Sequence, residues 1–421
     1  MGEQVGQGCG TTLRDPAVMA FVRSAVEVAE PYEAFCGRPL PSGLSREDAW
    51  ELVTFSRRLS GWPSVMGDPA DPLGGSYWTV PRSIVPHLVD TVQKTGASSR
   101  LWEELRRLER QPVVTRVLLE DVQAACLRDG LDVEYERLRA VVVHGEAPLL
   151  PEERVVSNLV GLVRDLPGSR RDTGSLSGLI GTAIVPGLLQ DVGEMPGLSR
   201  LLSPSAVDPR LLELPAEVRM RNLADILDRP DTWGDFAFLG QIMASESFFE
   251  LLPLERGNAL VELVVRHVGF ARLGVPALGY APLSKIRLDW ELGTLPPAEV
   301  FASHGKALVS TPFGTDSTWA LCQYAVFFDR WLARMERDLA RAREEHAAWE
   351  ERVDADQRLN LRQRELLKTL GENPSGSVDV RGYEGRFGVA MSTANTDLAK
   401  LAALGYLEGS YEGKRQVYRL R

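Results

Sequence analysis

The chain has 421 residues, of which 44% are hydrophobic and 25% are charged, as is usual for globular proteins of two or three domains. No stretch approaches about 18 uninterrupted apolar residues, which excludes a simple transmembrane helix and predicts no membrane partner. The net charge of −10 excludes a surface that coats nucleic acid over its whole extent. The four cysteines lie far apart without metal-binding spacing, so we expect reduced thiols, no metal site and a cytoplasmic location.

The charge is unevenly distributed along the chain. Residues 358–421 carry 11 Lys and Arg against 7 Asp and Glu, a net charge of +4, whereas the remainder carries −14. A basic module on an acidic body is typical of a protein in which one domain contacts DNA.

Residues 1–15 are rich in glycine and polar residues, and we predict a disordered tail. Residues 16–110 alternate helical patterns with loops that contain proline and glycine, so we predict an N-terminal helical region. Ser45 and Asp48 have the spacing of a capping box at the start of a helix. Helices are predicted over residues 46–58, 84–94 and 99–110. No function is indicated for this region.

Residues 111–355 are dominated by helical periodicity, and we predict one helical domain there. Helices are predicted over residues 113–129, 135–142, 151–166, 216–227, 235–250, 259–273 and 319–352. The last of these has apolar residues at steps of three and four in its first half and many charges in its second, so we expect half of it to be buried. Gly174, Gly178 and Gly181 interrupt the rhythm over 172–188, which indicates a β-hairpin or an irregular loop.

The pattern over residues 356–421 predicts a winged helix-turn-helix domain. Its predicted elements are helix 361–370, strand 377–380, helix 380–387, helix 391–404, and strands 406–411 and 416–420. The third helix presents small polar residues and one lysine outward as candidates for DNA binding: Ser392, Thr393, Asn395, Thr396 and Lys400. Lys414 and Arg415 lie at the tip of the wing, where phosphates would be contacted. Such domains also serve as dimerisation or packing modules, so both duplex DNA and a homodimer stay open as partners.

Between two predicted helices, residues 248–261 read FFELLPLERGNALV. This segment resembles the active-site loop of Fic proteins, whose pattern is HPFx(D/E)GNGR. Pro253, Gly257 and Asn258 match that pattern. The family reaction transfers AMP, or another phosphate-containing group, onto a hydroxyl.

Five positions of the loop depart from the family pattern, and three of them carry its chemistry. Leu252 stands at the catalytic histidine, Arg256 at the metal-binding acid and Leu260 at the phosphate-binding arginine, while Leu254 and Ala259 replace a phenylalanine and a glycine. The resemblance therefore implies a loop without a general base, a Mg²⁺ ligand or a phosphate clamp. We expect no AMP transfer and no bound cofactor.

The order of other segments also resembles the Fic family. Residues 125–130 lie where the family often has an inhibitory helix with the pattern (S/T)xxxE(G/N), with Gly130 a match and Asp129 a near match. The resemblance implies a flap, usually a β-hairpin, at 172–190, and it extends to the Pro-Leu-Ser segment at 282–284. A long helix followed by a winged domain is a common Fic arrangement. The implied fold class is mainly α, a Fic-like helical domain with a small β-hairpin flap followed by a winged helix-turn-helix.

An anion site at the start of the helix survives these losses. Gly257, Asn258 and Ala259 begin a helix whose first N–H groups have no partner within the helix, and Arg256 adds a positive side chain. We predict that an anionic small molecule or a nucleotide binds there. The alternative is that the loop is only a connection between two helices.

Functions of different classes are open. The first is a regulator or scaffold, in which a degenerate Fic body unable to transfer AMP responds to a ligand or partner and carries a DNA-binding domain. The second is an enzyme that uses the old pocket for another reaction, for example in a biosynthetic pathway. Its candidate catalytic residues are Glu255 and His267, near Glu262 and Arg266, whose spacing is that of an ordinary surface pair. The third is a residual nucleotidyltransferase with another base, such as His267.

Overall fold

The structure is mainly helical, and it is a computed structural model that describes most of the chain. The described residues are 15–28, 32–63, 77–107, 112–168, 175–192, 224, 227–228, 236–251, 254–292, 294, 309–311, 314–373, 376–412 and 415–421. None of the described helices is both long enough and apolar enough to cross a lipid bilayer. The predicted tail at 1–15, apart from Asp15, and most of the predicted helix 216–227 lie outside these residues.

The first three helices form a small hydrophobic core of their own. They are α1 (Pro16–Glu27), α2 (Tyr32–Phe35) and α3 (Arg46–Ser60). Val18 and Val22 of α1 pack with Trp50 and Val53 of α3 in this core. The predicted cap of α3 is confirmed, because Ser45 Oγ accepts a hydrogen bond of 3.0 Å from the N–H of Asp48.

A four-stranded sheet that the sequence pattern did not predict lies next to these helices, in the order β1-β2-β4-β3. Its strands are β1 (Trp62–Pro63), β2 (Tyr77–Trp78), β3 (Val309–Thr311) and β4 (Gly314–Asp316). The β2–β4 pair is parallel, and the other two pairs are antiparallel. The buried side chains of Arg57 and Asp316, with Nη1 and Oδ2 3.0 Å apart, tie α3 to this sheet.

One large hydrophobic core packs most of the remaining helices. They are α4 (Val85–Thr95), α5 (Arg100–Arg107), α6 (Pro112–Arg128), α7 (Tyr135–Val142), α8 (Pro151–Asp165), α9 (Leu176–Leu179), α10 (Val185–Leu188), α11 (Ala237–Leu251), α12 (Asn258–Arg272), α13 (Leu283–Glu291) and α14 (Thr318–Ala355). Helix α12 lies at the centre, because every residue from Asn258 to Phe270 is buried. A helix that is buried on all sides is held in place by its neighbours rather than by one apolar face.

The prediction of a β-hairpin flap over 172–190 is wrong for the residues that the structure describes. Residues 175–192 form the short helices α9 and α10, separated by one π-helical turn at Ile180–Ile184. Successive buried apolar residues there are separated by three, one, four and four positions: Leu176, Leu179, Ile180, Ile184 and Leu188. This helical spacing faces the core and outweighs the breaks that the glycines suggested.

The long helix α14 connects the large core to the C-terminal module, as its charge pattern predicts. Buried residues from Leu321 to Leu339 belong to the large core, whereas Val353 belongs to the core of the C-terminal module. The residues between Leu339 and Val353 are exposed or half-buried. The prediction that half of this helix is buried is confirmed.

Every element predicted for the C-terminal module is present in the structure. The elements are α15 (Leu361–Glu372), β5 (Ser377–Asp379), α16 (Val380–Phe387), α17 (Met391–Ala403), β6 (Leu407–Glu412) and β7 (Arg415–Leu420). The strands form an antiparallel sheet in the order β5-β7-β6. Leu367, Tyr383, Leu398 and Leu401 are fully buried between the helices and this sheet.

Candidate functional site

Helix α12 begins directly after a tight loop whose shape depends on two residues. Gly257 has φ 89°, in the left-handed region that favours glycine. The side chain of Asn258 accepts a hydrogen bond of 3.0 Å from the N–H of Leu254 and donates one of 2.8 Å to its carbonyl oxygen. Since both ends of this amide are used, the Asn258 side chain shapes the loop rather than contacting a ligand. Leu252 and Pro253 lie outside the described residues.

The carboxylate of Asp129, one residue beyond the end of α6, occupies the start of α12. Its Oδ2 accepts a hydrogen bond of 2.9 Å from the N–H of Leu260. The N–H groups of Gly257 and Ala259 also act on this carboxylate and lower its pKa. The start of a helix carries the positive end of its dipole, so a carboxylate is favourable there. The expectation that these donors are free is therefore wrong, because the chain's own carboxylate binds them.

Arg256 makes the opposite contact, from the loop to the end of α6. Its Nη2 donates hydrogen bonds of 2.8 and 3.3 Å to the carbonyl oxygens of Asp129 and Gly130. The end of a helix carries negative partial charge, which the guanidinium neutralises. Gly130 has φ 72°, in the left-handed region that favours glycine, and a Cβ at this position would lie 2.7 Å from Nη2 of Arg256. The guanidinium group of Arg256, which we predicted to contact an anion, thus contacts backbone carbonyl oxygens instead.

Together these contacts form what we call the reciprocal cap. It consists of Asp129, Gly130 and Arg256 with the backbone N–H groups at the start of α12. Asp129 at the end of α6 brings negative charge to the start of α12, and Arg256 just before α12 brings positive charge to the end of α6. Burial raises the pKa of Asp129 from its ordinary 3.8 to about 6, and the backbone donors and Arg128, which lower it, do not offset burial. An external anion would have to displace this carboxylate to reach the same donors.

Glu262 and Arg266 are not a surface pair, and that expectation is corrected by their burial. Arg266 is fully buried and donates to Glu262 at 2.9 Å and to Asp121 of α6 at 2.7 Å. It also donates to the carbonyl oxygen of Ala281 at 2.8 Å and to Ser284 Oγ at 3.0 Å. A buried charge needs such partners, and this set ties α12 to α6 and α13. We infer a structural role for both residues.

His267 cannot serve as a base at the loop. A rise of 1.5 Å per residue places it about 14 Å along α12 from Asn258. Its ring is buried edge-on against Tyr280, and its Nε2 has no hydrogen-bond partner among the described residues. Burial lowers the pKa of His267 well below its usual range, and the adjacent Arg266 lowers it further. Glu255 is exposed beside the reciprocal cap and is not brought together with His267.

In the C-terminal module, the residues predicted for DNA binding lie mostly on the surface. Ser392, Asn395, Thr396 and Lys400 are exposed and Thr393 is half-buried, while Asp397 between them is buried. The carboxylate of Asp397 accepts hydrogen bonds from several side chains of the module: Asn360, Arg362, Gln363 and Tyr383. These bonds fix the orientation of α17, so that its polar face points outward.

The basic residues of the predicted DNA surface differ in whether another group of the chain already contacts them. Arg415 forms an ion pair with Asp379, and Lys400 donates to the carbonyl oxygen of Arg358. Arg381 of α16 is exposed and has no ion pair within the part of the chain that is described. Lys414 lies outside the described residues. The sequence reasoning did not include Arg381, although its place at the start of the second helix of the predicted motif was a signal for it.

Comparison with models of known protein families finds no match, and comparison with curated protein sequences also finds none.

The raised pKa of Asp129 predicts a pH dependence of stability. Between about pH 4 and pH 6 the folded protein retains a proton on Asp129 that the unfolded chain has lost, so wild-type stability falls as the pH rises through this window. Asp129→Asn cannot titrate. We expect its thermal midpoint, relative to wild type, to rise by about 2–4 °C from pH 4 to pH 7, measured by circular dichroism.

Glu255→Gln is the matched control, because Glu255 is an exposed acid beside the same cap. It should stay within about 1 °C of wild type at both pH values. A difference between Asp129→Asn and wild type that does not change with pH would show that Asp129 is not held in a desolvated position.

Proposed function

We propose that this chain is a degenerate Fic-like protein that does not transfer nucleotides and acts as a regulator through its C-terminal domain. The observation that carries the proposal is that the carboxylate of Asp129 lies at the backbone donors at the start of α12. A phosphate group held at this helix start would need the same N–H groups. The helical domain therefore has donors that suit an anion, and the carboxylate of Asp129 occupies them.

The composition of the loop supports the absence of chemistry. Leu252 and Leu260 offer neither a proton acceptor nor a positive charge, and Arg256 is directed at carbonyl oxygens across the reciprocal cap. The polar residues considered for another reaction do not converge, because His267 and Arg266 are buried along α12 and Glu255 is exposed at its start. A repurposed enzyme and a residual transferase thus receive less support than a regulator.

The C-terminal module supports a role in DNA binding. Its order of helix, strand, helix, turn, helix and hairpin is typical of a winged helix-turn-helix. The polar face of α17 is exposed, and residues 358–421 carry a net charge of +4. Small polar side chains on that helix would leave most of the affinity to phosphate contacts.

We expect no transfer of AMP by the purified full-length chain with labelled ATP and Mg²⁺ or Mn²⁺. Loss of a general base alone commonly costs about 10²–10⁴-fold in rate. Leu252→His should not restore activity, because Leu260 still provides no phosphate clamp and Asp129 still holds the backbone donors. A Fic enzyme with an intact motif serves as the positive control. Robust labelling by the wild-type chain would refute the proposal of a non-catalytic body.

We expect the full-length chain to retard duplex DNA of mixed sequence at low salt, with an affinity that falls as salt is raised. Arg381→Ala and Lys414→Ala should each lower the slope of log affinity against log salt by about 1, similarly for all sequences, if each contacts one phosphate. The matched control is Arg23→Ala, which removes an exposed arginine from α1.

Absence of retardation at low salt would contradict the DNA-binding part of the proposal. An equal loss in Arg23→Ala would show that the measured affinity reflects overall charge rather than the module.

A further inference from the structure

A cleft of about 560 Å³ lies between α6, α7 and α14, away from the reciprocal cap. Its volume is in the range of pockets that hold small molecules. Arg116 in this cleft and Asp129 lie 13 residues apart, which is about 20 Å along α6. The cleft is therefore a separate site at the other end of the same helix.

The walls of the cleft differ in chemistry. The wall formed by α6, α7 and the residues just after α7 carries apolar Val113, Leu119 and Val143 together with Arg116 and Arg139. The opposite wall, on α14, carries the two acidic residues of the lining, Asp338 and Glu345, together with Arg341, so its net charge is −1. Apolar surface next to positive charge on one wall, with negative charge across from it, suits a ligand with an apolar body and one acidic group.

The two arginines are free to turn toward a ligand. Arg116 Nε lies 4.0 Å from Glu120, and Arg139 Nη1 lies 3.6 Å from Glu136. Both arginine side chains are at least half exposed, and such pairs contribute little to stability. By contrast Glu345 is held at 2.8 Å by Arg341 of its own helix, so one acid of the opposite wall is already neutralised.

His144 adds a polar group at the edge of the cleft. Its Nδ1 is buried and has no hydrogen-bond partner among the described residues. Burial lowers the pKa of His144, and the nearby charges of Arg139 and Arg419 lower it further, which favours the neutral form of the ring. A neutral imidazole next to two guanidinium groups can donate or accept one hydrogen bond with an acidic group.

We propose that this cleft binds an amphipathic monocarboxylate, with its carboxylate between Arg116 and Arg139 and its apolar body against Val113, Leu119 and Val143. A guanidinium group binds a carboxylate through charge-assisted hydrogen bonds. Asp338 on the opposite wall disfavours a second negative charge in the ligand.

The position of the cleft gives a bound ligand a direct structural link to the C-terminal module. Arg341 and Glu345 of α14 line the cleft, and Trp349, one turn further along, packs edge-on against Tyr406 of the module with ring centroids 5.7 Å apart. Arg419 of β7 lies close enough to His144 to influence its charge. A ligand in the cleft therefore contacts the helix that carries the module.

The test uses the fluorescent probe 8-anilinonaphthalene-1-sulfonate, an amphipathic aromatic monoanion, with the full-length chain. We expect one saturable site, from which decanoate displaces the probe and decanol, its uncharged analogue, does not. Arg116→Gln and Arg139→Gln should each weaken decanoate binding about fivefold, the factor that about 1 kcal/mol gives. Both positions are exposed, so the variants should fold as wild type does, which circular dichroism checks.

Arg23→Gln, on α1, is the matched control and should bind decanoate with wild-type affinity. The proposal is overturned if decanol displaces the probe as well as decanoate does, because the site would then be only apolar. It is also overturned if all three variants bind alike, or if the wild-type chain does not bind the probe.

Discussion

The contact between the Asp129 carboxylate and the first N–H groups of α12 determines what the loop before this helix can do. Helix α12 is buried from Asn258 to Phe270, and its start is a point where backbone donors need partners. Asp129 provides those partners, and Arg256 returns the charge to the end of α6. Two helix dipoles are thus satisfied within the chain. The backbone donors at the start of α12 are therefore occupied by a carboxylate of the chain itself.

The buried charged groups around Arg266 are likewise partnered by other groups of the same chain. Arg266 uses its guanidinium on Asp121, Glu262, Ala281 and Ser284, so that three segments are joined at one buried point. Removing one member would leave a buried charge without its partner, which costs more than a surface pair contributes. These polar groups stabilise α12 rather than face a substrate. The exposed polar groups lie elsewhere, in the cleft beside α14 and on the C-terminal module, which are the surfaces that the proposed regulator would use.

Periodicity and caps predicted the local structure well, because both depend on neighbouring residues. The cap at Ser45, the elements of the C-terminal module and the half-buried α14 followed from short-range patterns. The partners of the site did not, since Asp129 and Leu260 are 131 residues apart and Arg266 and Asp121 are 145 apart. Strands of two or three residues are too short to show a period of two. The glycines at 178 and 181 suggested a hairpin, but tertiary packing of the apolar residues around them favours helices.

The effect of inorganic phosphate on thermal stability tests the central claim most directly. It compares wild type with Asp129→Ala at neutral pH, with chloride at matched ionic strength as the reference. If Asp129 is the internal ligand of α12, phosphate should leave the wild-type midpoint unchanged and raise that of Asp129→Ala, because the variant exposes the backbone donors. Equal shifts in both proteins would contradict the account, since phosphate would then bind where Asp129 has no influence.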